Sequence, residues 1–357
     1  MGTSAGAALL LIGLMLLAGY VAHLTSERWH IPRVTILLLI GVTAGPSVLD
    51  LVPAEIHTWF PFVTRIALAM VGFLLGESFV GRDLREHGRQ VVIISVGETL
   101  SAALVVCVAV LVVWQDLTLA LLLGAVAPAS APAAIFETVR ESSARGPLTR
   151  TLLGVVAIDD AWGVILFSII LVATQAVTGA GADLSALAHG LLDVFGALAL
   201  GAVVGLLMAW VTHKVREGEA TLLEAGGFVL SCAGLAVMLE LSYLLATLTV
   251  GAVLANRRGP DSPAFHDVEH MSQPLMAIFF VLAGMELELE TLADIGWLGG
   301  LYVAARALGL VLGGALASAW SGAPHVVSRR IGWCLLPQAG VALGFALLVN
   351  QETPSVG

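Results

Sequence analysis

Residues 157–163 read Ala-Ile-Asp-Asp-Ala-Trp-Gly, and this short stretch decides how the rest of the chain is interpreted. Its two adjacent carboxylates, Asp159 and Asp160, lie in the middle of an apolar run that extends from residue 152 to residue 174. A charged side chain at the centre of a bilayer costs roughly 2.5–3.5 kcal/mol on insertion scales, so such residues are rarely kept for packing alone. The pair therefore indicates an ion or proton site that faces a wet cavity or a partner charge.

The composition places this site in a membrane protein. Of the 357 residues, 58% are hydrophobic and only 12% are charged, against about 25% charged in ordinary soluble domains. Apolar runs of roughly 20 residues recur along the whole chain, which predicts a polytopic, all-α protein in the lipid bilayer. The net charge is −10 and the sequence has no basic stripe, so we expect no nucleic-acid partner. Nothing in the sequence indicates a cofactor.

Twelve spans are predicted, and the charges between them define a topology. Fourteen of the sixteen Lys and Arg residues follow odd-numbered spans, whereas the alternate loops carry mainly acidic residues. By the positive-inside rule, the basic side is cytoplasmic and the N-terminus is outside. The predicted spans are 5–25, 33–50, 62–80, 89–114, 117–137, 147–177, 186–213, 220–239, 242–256, 268–286, 294–320 and 331–350.

The two halves of the chain resemble each other. Residues 40–45 of span two resemble residues 250–255 of span nine, and residues 73–77 of span three resemble residues 280–286 of span ten. Spans five and twelve are both interrupted by proline and small residues. The offset of seven spans is odd, so matching helices run in opposite directions. This pattern predicts an inverted repeat with broken helices at the midplane site.

The breaks supply oxygen ligands. Span five contains Pro128 and Pro132, which remove two helix N–H groups, with Ser130 between them. Span twelve is interrupted in the same way at Pro337 and Gln338. Free backbone carbonyls and the Ser130 hydroxyl are suitable ligands for a small cation, provided that protein or a wet cavity covers them.

Arg306 adds a third buried charge near the middle of span eleven. Three charges suggest one ion pair plus one carboxylate left over, and burial disfavours the charged form of that carboxylate. A carboxylate that binds either a monovalent cation or a proton, never both, is sufficient for exchange. Glu98, well inside span four, either lines the ion path or forms a hydrogen bond to a neighbouring helix; Gln338 also lies near that path.

With these pieces in place, the chain resembles the bacterial monovalent cation:proton antiporters, in the branch that carries Asp-Asp. The resemblance is carried in order along the chain by residues 31–47, the span-five break before Glu137, residues 158–160, residues 279–285, Arg306 and residues 337–342.

This resemblance implies a thirteen-helix inverted-repeat fold with two crossed broken helices, a homodimer, and a location in the bacterial inner membrane. It implies that Asp160 binds the cation (Na⁺, or K⁺ or Li⁺) or the proton, and that Asp159 pairs with Arg306. It further implies scaffold helices in residues 1–80 and 218–290, transport-core helices in residues 81–177 and 291–357, and a linker helix in residues 178–217.

Two features depart from the family pattern. Asp-Asp is combined with arginine rather than lysine at position 306, which leaves the stoichiometry open. A thirteenth span is also missing, and we interpret the chain as a fragment of a longer polypeptide.

Three alternatives compete with cation:proton antiport. The first is a sodium-coupled symporter of an organic solute, which needs more polar groups near the breaks than Ala- and Gly-rich segments offer. The second is an intramembrane aspartyl protease, but its two aspartates belong on separate helices, so we expect no enzyme. The third is a zinc site at residues 266–270, His-Asp-Val-Glu-His, which matches an inverted zinc-peptidase motif. A solvated helix start explains that motif better, because it lies in a predicted cytoplasmic loop.

Overall fold

The computed structural model describes residues 5–29, 31–51, 58–178, 185–212, 221–287 and 289–338, and every regular element in these residues is an α-helix. Thirteen helices are present in the described ranges: α1 (Ala5–Trp29), α2 (Arg33–Ala44), α3 (Phe60–Gly76), α4 (Gly81–Trp114), α5 (Leu117–Val126), α6 (Pro132–Glu141), α7 (Pro147–Thr178), α8 (Ser185–Thr212), α9 (Thr221–Met238), α10 (Tyr243–Arg258), α11 (Pro263–Met285), α12 (Leu289–Ser321) and α13 (His325–Cys334).

The helices follow the predicted spans. Span five is divided into the half-helices α5 and α6, and α13 begins six residues before the predicted start of span twelve, so that Arg329 and Arg330 lie inside the helix. The rest of span twelve, including the motif residues 339–342, lies outside the described residues. Six described helices, α1, α4, α7, α8, α11 and α12, contain a segment long and apolar enough to cross a membrane. The chain is therefore an integral membrane protein.

Local sequence signals explain where several helices begin and bend. Asp116 caps α5 by accepting a 3.0 Å hydrogen bond from the Leu119 amide, since a side-chain oxygen satisfies an amide left free at a helix start. Pro132 occupies the first position of α6, where its missing N–H costs nothing. Gly296 interrupts α12 with a positive φ of 54°, a conformation that glycine adopts without strain.

The helices pack into two groups, each with its own apolar core. The first group consists of α1–α3 and α8–α11, in which α10 packs along α3 and α8, and α11 packs along α2 and α3. The second group consists of α4–α7, α12 and α13, in which α12 packs along α4 and α13, while α6, which follows the break after α5, packs on α2 and α3 as well as on α7. Two members reach across: Ala133 of α6 and Ala157 of α7 belong to the apolar core of the first group.

Two glycine contacts in the first group repeat the internal sequence similarity. A Cβ atom on Gly41 of α2 would lie 2.1 Å from the Val281 carbonyl oxygen, next to Gly284 of α11. A Cβ atom on Gly251 of α10 would lie 2.0 Å from the Phe73 carbonyl oxygen, next to Gly76 of α3. The sequence similarity aligns Gly41 with Gly251 and Gly76 with Gly284. The α2–α11 contact is therefore the repeat equivalent of the α10–α3 contact, as an inverted repeat requires.

Candidate ion-binding site

The centre of the second group is the break between α5 and α6. Residues 127–131 are not helical, and Pro128 and Pro132 lie at its two ends. All five residues of the break are buried. Because the prolines interrupt the helical hydrogen bonds, the break presents backbone carbonyls to its surroundings.

Arg306 of α12 uses those carbonyls. Its Nε donates to the Ala127 oxygen at 2.8 Å, and its Nη2 donates to the Ala129 oxygen at 2.9 Å. Its Nη1 donates to the Leu336 oxygen at 2.6 Å, at the second break, which follows α13. The side chain is buried, with 5% of the residue exposed. One guanidinium therefore connects both breaks, which suits a planar group with five N–H donors.

The prediction that Asp159 and Arg306 form a direct ion pair is wrong, because the described side chains do not contact each other in this way. Every hydrogen bond described for Arg306 goes to a backbone carbonyl, and the ion pairs of the described residues do not include Asp159. The physical reason is that the broken helices offer partial negative charges in a geometry that satisfies the guanidinium. Arg306 still lies close enough to Asp159 for their charges to interact.

Asp159 is held by hydroxyl groups. It is 2% exposed, and it accepts hydrogen bonds from Ser95 of α4 at 2.6 Å and from Ser130 of the break at 3.3 Å. Glu98, fully buried one turn after Ser95, lies close enough to Asp159 for the two carboxyl groups to interact. Its Oε1 accepts a 3.3 Å hydrogen bond from Thr99, and its Oε2 has no hydrogen-bond partner among the described residues. Both interpretations of Glu98, as a residue of the ion path and as a partner of a neighbouring helix, stay predictions.

Asp160 has a different environment from its neighbour. Its Oδ1 atom is buried and accepts no hydrogen bond from any residue that the structure describes. Consecutive helical residues point about 100° apart, and Asp160 lies close enough to Tyr243 of α10 for the two to interact electrostatically. Ile158 packs on the core of the second group and Ala161 on that of the first. Asp160 is therefore the carboxylate at the boundary between the two helix groups.

Gln338 joins the two breaks. Its side-chain amide donates to the Val126 carbonyl oxygen at 3.3 Å and to the Tyr302 hydroxyl at 2.9 Å. Tyr302 and Arg306 are four residues apart and thus share one face of α12. Gln338, which directly follows Pro337, acts here as a connection between the crossed segments. Its place near the ion path stays a prediction.

Sequence reasoning missed Ser95 and Tyr302. Ser95 precedes Glu98 by three residues, and Tyr302 precedes Arg306 by four, so both share a helix face with a residue already singled out. The signal that could have identified both residues is their spacing of three or four positions from a buried charged residue on the same helix. The sequence did not show which helices come together, and so it did not identify their partners.

A second charged cluster lies at the far end of α6. Glu137, 3% exposed, forms ion pairs with Arg33 of α2 and with Arg140, the latter at 3.5 Å. Arg140 in turn contacts Glu269 of α11 at 2.7 Å. Carboxylates near the ends of membrane spans are commonly solvated, but Glu137 is not. It is buried because two arginines from different helices compensate its charge.

The zinc-peptidase motif does not form a metal centre in the described part of the chain. His266 and His270 are exposed and their Nε2 atoms lie 3.0 Å apart, while Glu269 turns to Arg140. Among the described residues, no group of three or more His, Cys, Asp or Glu side chains is suited to hold a metal ion. The interpretation as a solvated helix start fits this geometry.

Comparisons with known proteins agree with this architecture. Residues 12–355 match the family model described as sodium/hydrogen exchanger, transmembrane. The chain is 23% identical over 346 residues to the ammonium/H(+) antiporter subunit AmhT of Alkalihalophilus pseudofirmus, covering 94% of this chain and 85% of that protein. It is 20% identical over 337 residues to the K(+)/H(+) antiporter subunit KhtU of Bacillus subtilis, covering 90% and 80%.

A solved structure confirms the predicted fold. The sodium proton antiporter MjNhaP1 from Methanocaldococcus jannaschii superimposes with a TM-score of 0.79 at 19% identity, covering 98% of this chain and 86% of that chain.

Proposed function

Because the chain belongs to the sodium/hydrogen exchanger family, we propose that Asp160 is the site at which a monovalent cation and a proton compete. Membership of the family confirms the function predicted from the sequence, which is exchange of a monovalent cation for H⁺ across the membrane. The alternative of a symporter for an organic solute is not favoured. The residues and the movement that carry out this exchange belong to the proposal.

The observation that carries the proposal is the contrast between the two aspartates. Both oxygens of Asp159 accept hydroxyl hydrogen bonds, whereas one buried oxygen of Asp160 has no hydrogen-bond partner in the described part of the chain. A buried carboxylate is stable only when a proton, a cation or donors compensate it. Asp160 thus has the chemistry to hold either transported ion, and Asp159 is a fixed neighbour whose charge strengthens cation binding.

The helix groups suggest which parts move. We take the second group, α4–α7 with α12 and α13, as the transport core, and the first group as the scaffold. On this proposal the ranges expected from the sequence stay as they were: core in residues 81–177 and 291–357, scaffold in 1–80 and 218–290. Helix α8, in the expected linker range 178–217, packs on both α7 and α10. Movement of the core past the scaffold turns Asp160 from one side to the other.

The preferred cation, orientation and assembly are further parts of the proposal. The similar proteins are named for ammonium, potassium and sodium, so the exchanged ion belongs to the monovalent cations, with Na⁺ the first to test and K⁺ and Li⁺ next. We place the protein in the bacterial inner membrane, with the N-terminus outside and the Arg33–Glu137 end in the cytoplasm. We expect a homodimer formed through the scaffold.

The test uses purified protein in vesicles that contain a pH-sensitive dye. Adding sodium to one side drives proton movement in the wild type, and Asp160→Asn abolishes this movement because the amide cannot bind and release the proton. The matched control is Asp50→Asn, the same chemical change at an exposed position whose positive φ of 45° asparagine tolerates. Sodium-driven proton movement in Asp160→Asn at the rate of the control disproves the assignment.

A further inference from the structure

The half-helix α6 is attached to the first helix group by charged side chains at its C-terminal end. Glu137 and Arg140 of α6 pair with Arg33 of α2 and Glu269 of α11. Glu141 accepts hydrogen bonds from Ser26 of α1 and, at 2.8 Å, from the Arg33 amide. Three helices of the first group thus hold one short helix of the second.

Apart from Asp160 at their boundary, the contacts described between the two groups are mainly apolar. Helix α6 directly follows the break that contains Ser130 and binds Arg306. Its Ala133 packs in the core of the first group and its Ile135 in that of the second. Apolar surfaces allow sliding, because their attraction has no preferred direction. Ion pairs between fixed side chains exist in one relative position only. The charged cluster is therefore specific to the arrangement seen in this structure.

The burial of each charged side chain determines how much its ion pairs contribute to holding the two groups together. Glu137 is enclosed, with 4% of its side chain exposed, and the Arg33 and Arg140 side chains are 19% and 20% exposed. Glu269 is 37% exposed. Removing a partner from a buried pair is severe because it leaves a charge uncompensated, whereas a partly exposed pair contributes little. A substitution of Glu269 therefore weakens the charged cluster without unfolding the protein.

We propose that Arg33, Glu137, Arg140 and Glu269 form an ionic latch that holds the transport core against the scaffold in one of its two positions, and that this latch opens in every transport cycle. The proposal rests on the proposed movement of the core during exchange. In this role the four residues do not touch the ion; they determine the fraction of molecules in which Asp160 faces a given side.

The first experiment fixes the latch shut. In a chain in which Cys107, Cys232 and Cys334 are replaced by alanine, Arg140→Cys and Glu269→Cys are combined, and Arg33 remains to compensate Glu137. The two cysteines are joined with a short, cleavable, bifunctional thiol reagent. Cross-linking lowers sodium–proton exchange at least tenfold relative to the same variant before treatment, and cleavage of the reagent restores it. The control combines Trp114→Cys with Trp297→Cys, whose indole rings stack 5.7 Å apart within the second group, and there cross-linked protein keeps exchanging.

The second experiment measures the latch without transport. Spin labels on Ala144, after α6, and Arg257, at the end of α10, report the separation of the two groups by electron–electron double resonance. Glu269→Gln lowers the ratio of the latched to the open population severalfold, and Glu240→Gln, an exposed carboxylate elsewhere in the scaffold, leaves it unchanged. Undiminished exchange after cross-linking of positions 140 and 269, or a wild-type population ratio in Glu269→Gln, overturns the latch. Loss of exchange in Asp160→Asn tests the ion site independently of both results.

Discussion

Arg306 donates a 2.9 Å hydrogen bond to the carbonyl oxygen of Ala129, a residue 177 positions earlier in the chain. This contact, with those to Ala127 and Leu336, shows how one buried cation is compensated by the crossed broken helices themselves. The aspartate pair next to it is thereby left available for other partners. The position of Arg306 explains how a permanently charged group is tolerated in the middle of the second helix group.

Arg306→Lys is expected to destabilise the protein although it keeps the charge. Lysine carries its donors on one nitrogen and cannot reproduce a fork that reaches three carbonyls, and each lost hydrogen bond to a charged group costs about 1.5–3 kcal/mol. Thermal unfolding in detergent measures the effect. The control, Arg89→Lys, changes an exposed arginine of α4. Equal unfolding temperatures for the two variants contradict the assigned role.

Glu98→Gln and Glu98→Ala are expected to differ, because Glu98 is fully buried and accepts a hydrogen bond from Thr99. Glutamine keeps the length of the side chain and an oxygen that accepts this bond. Alanine removes the acceptor and leaves a buried gap, at a cost of about 1–3 kcal/mol for the unsatisfied polar group. The unfolding temperature should fall in the order wild type, glutamine, alanine. If both variants unfold together with the wild type, the Glu98 side chain does not stabilise this region.

Gly251→Ala is expected to disrupt the α3–α10 contact. The added methyl group would lie 2.0 Å from the Phe73 carbonyl oxygen, and overpacking of this kind costs about 1–3 kcal/mol or more. Gly227→Ala in α9 is the matched control, since a Cβ atom there meets no atom within 4 Å. Unfolding curves of the two variants provide the comparison. A Gly251→Ala protein as stable as the control disproves the close contact of the backbones.

Much of this arrangement could be predicted from the sequence because membranes restrict what a chain can do. Charges in apolar runs identified Asp159, Asp160 and Arg306, and prolines identified the break around Ser130, since unsatisfied backbone groups are costly in lipid. The inverted repeat was visible because each half reuses the same glycine positions. These signals are local in sequence and need no knowledge of tertiary contacts.

The partners of the charged residues could not be predicted in the same way. Glu137 lies near the end of a predicted span, and its sequence neighbours do not show that Arg33 of α2 pairs with it or that Glu269 of α11 contacts Arg140. The pair of Arg306 with Asp159 was implied by the family resemblance, and the sequence does not show that carbonyls of two breaks converge on Arg306. Such contacts join residues far apart in the chain, and only the packing of the helices determines them.

The measurement that tests the central claim most directly is the pH dependence of cation affinity in vesicles. If Asp160 binds either ion and never both, protons compete with sodium for one carboxylate. The sodium concentration that gives half-maximal exchange should then rise about tenfold for each unit of pH lowered through the acidic range, as expected when binding requires a deprotonated ligand. A half-maximal sodium concentration that stays constant over that range means separate sites for the two ions and contradicts the account.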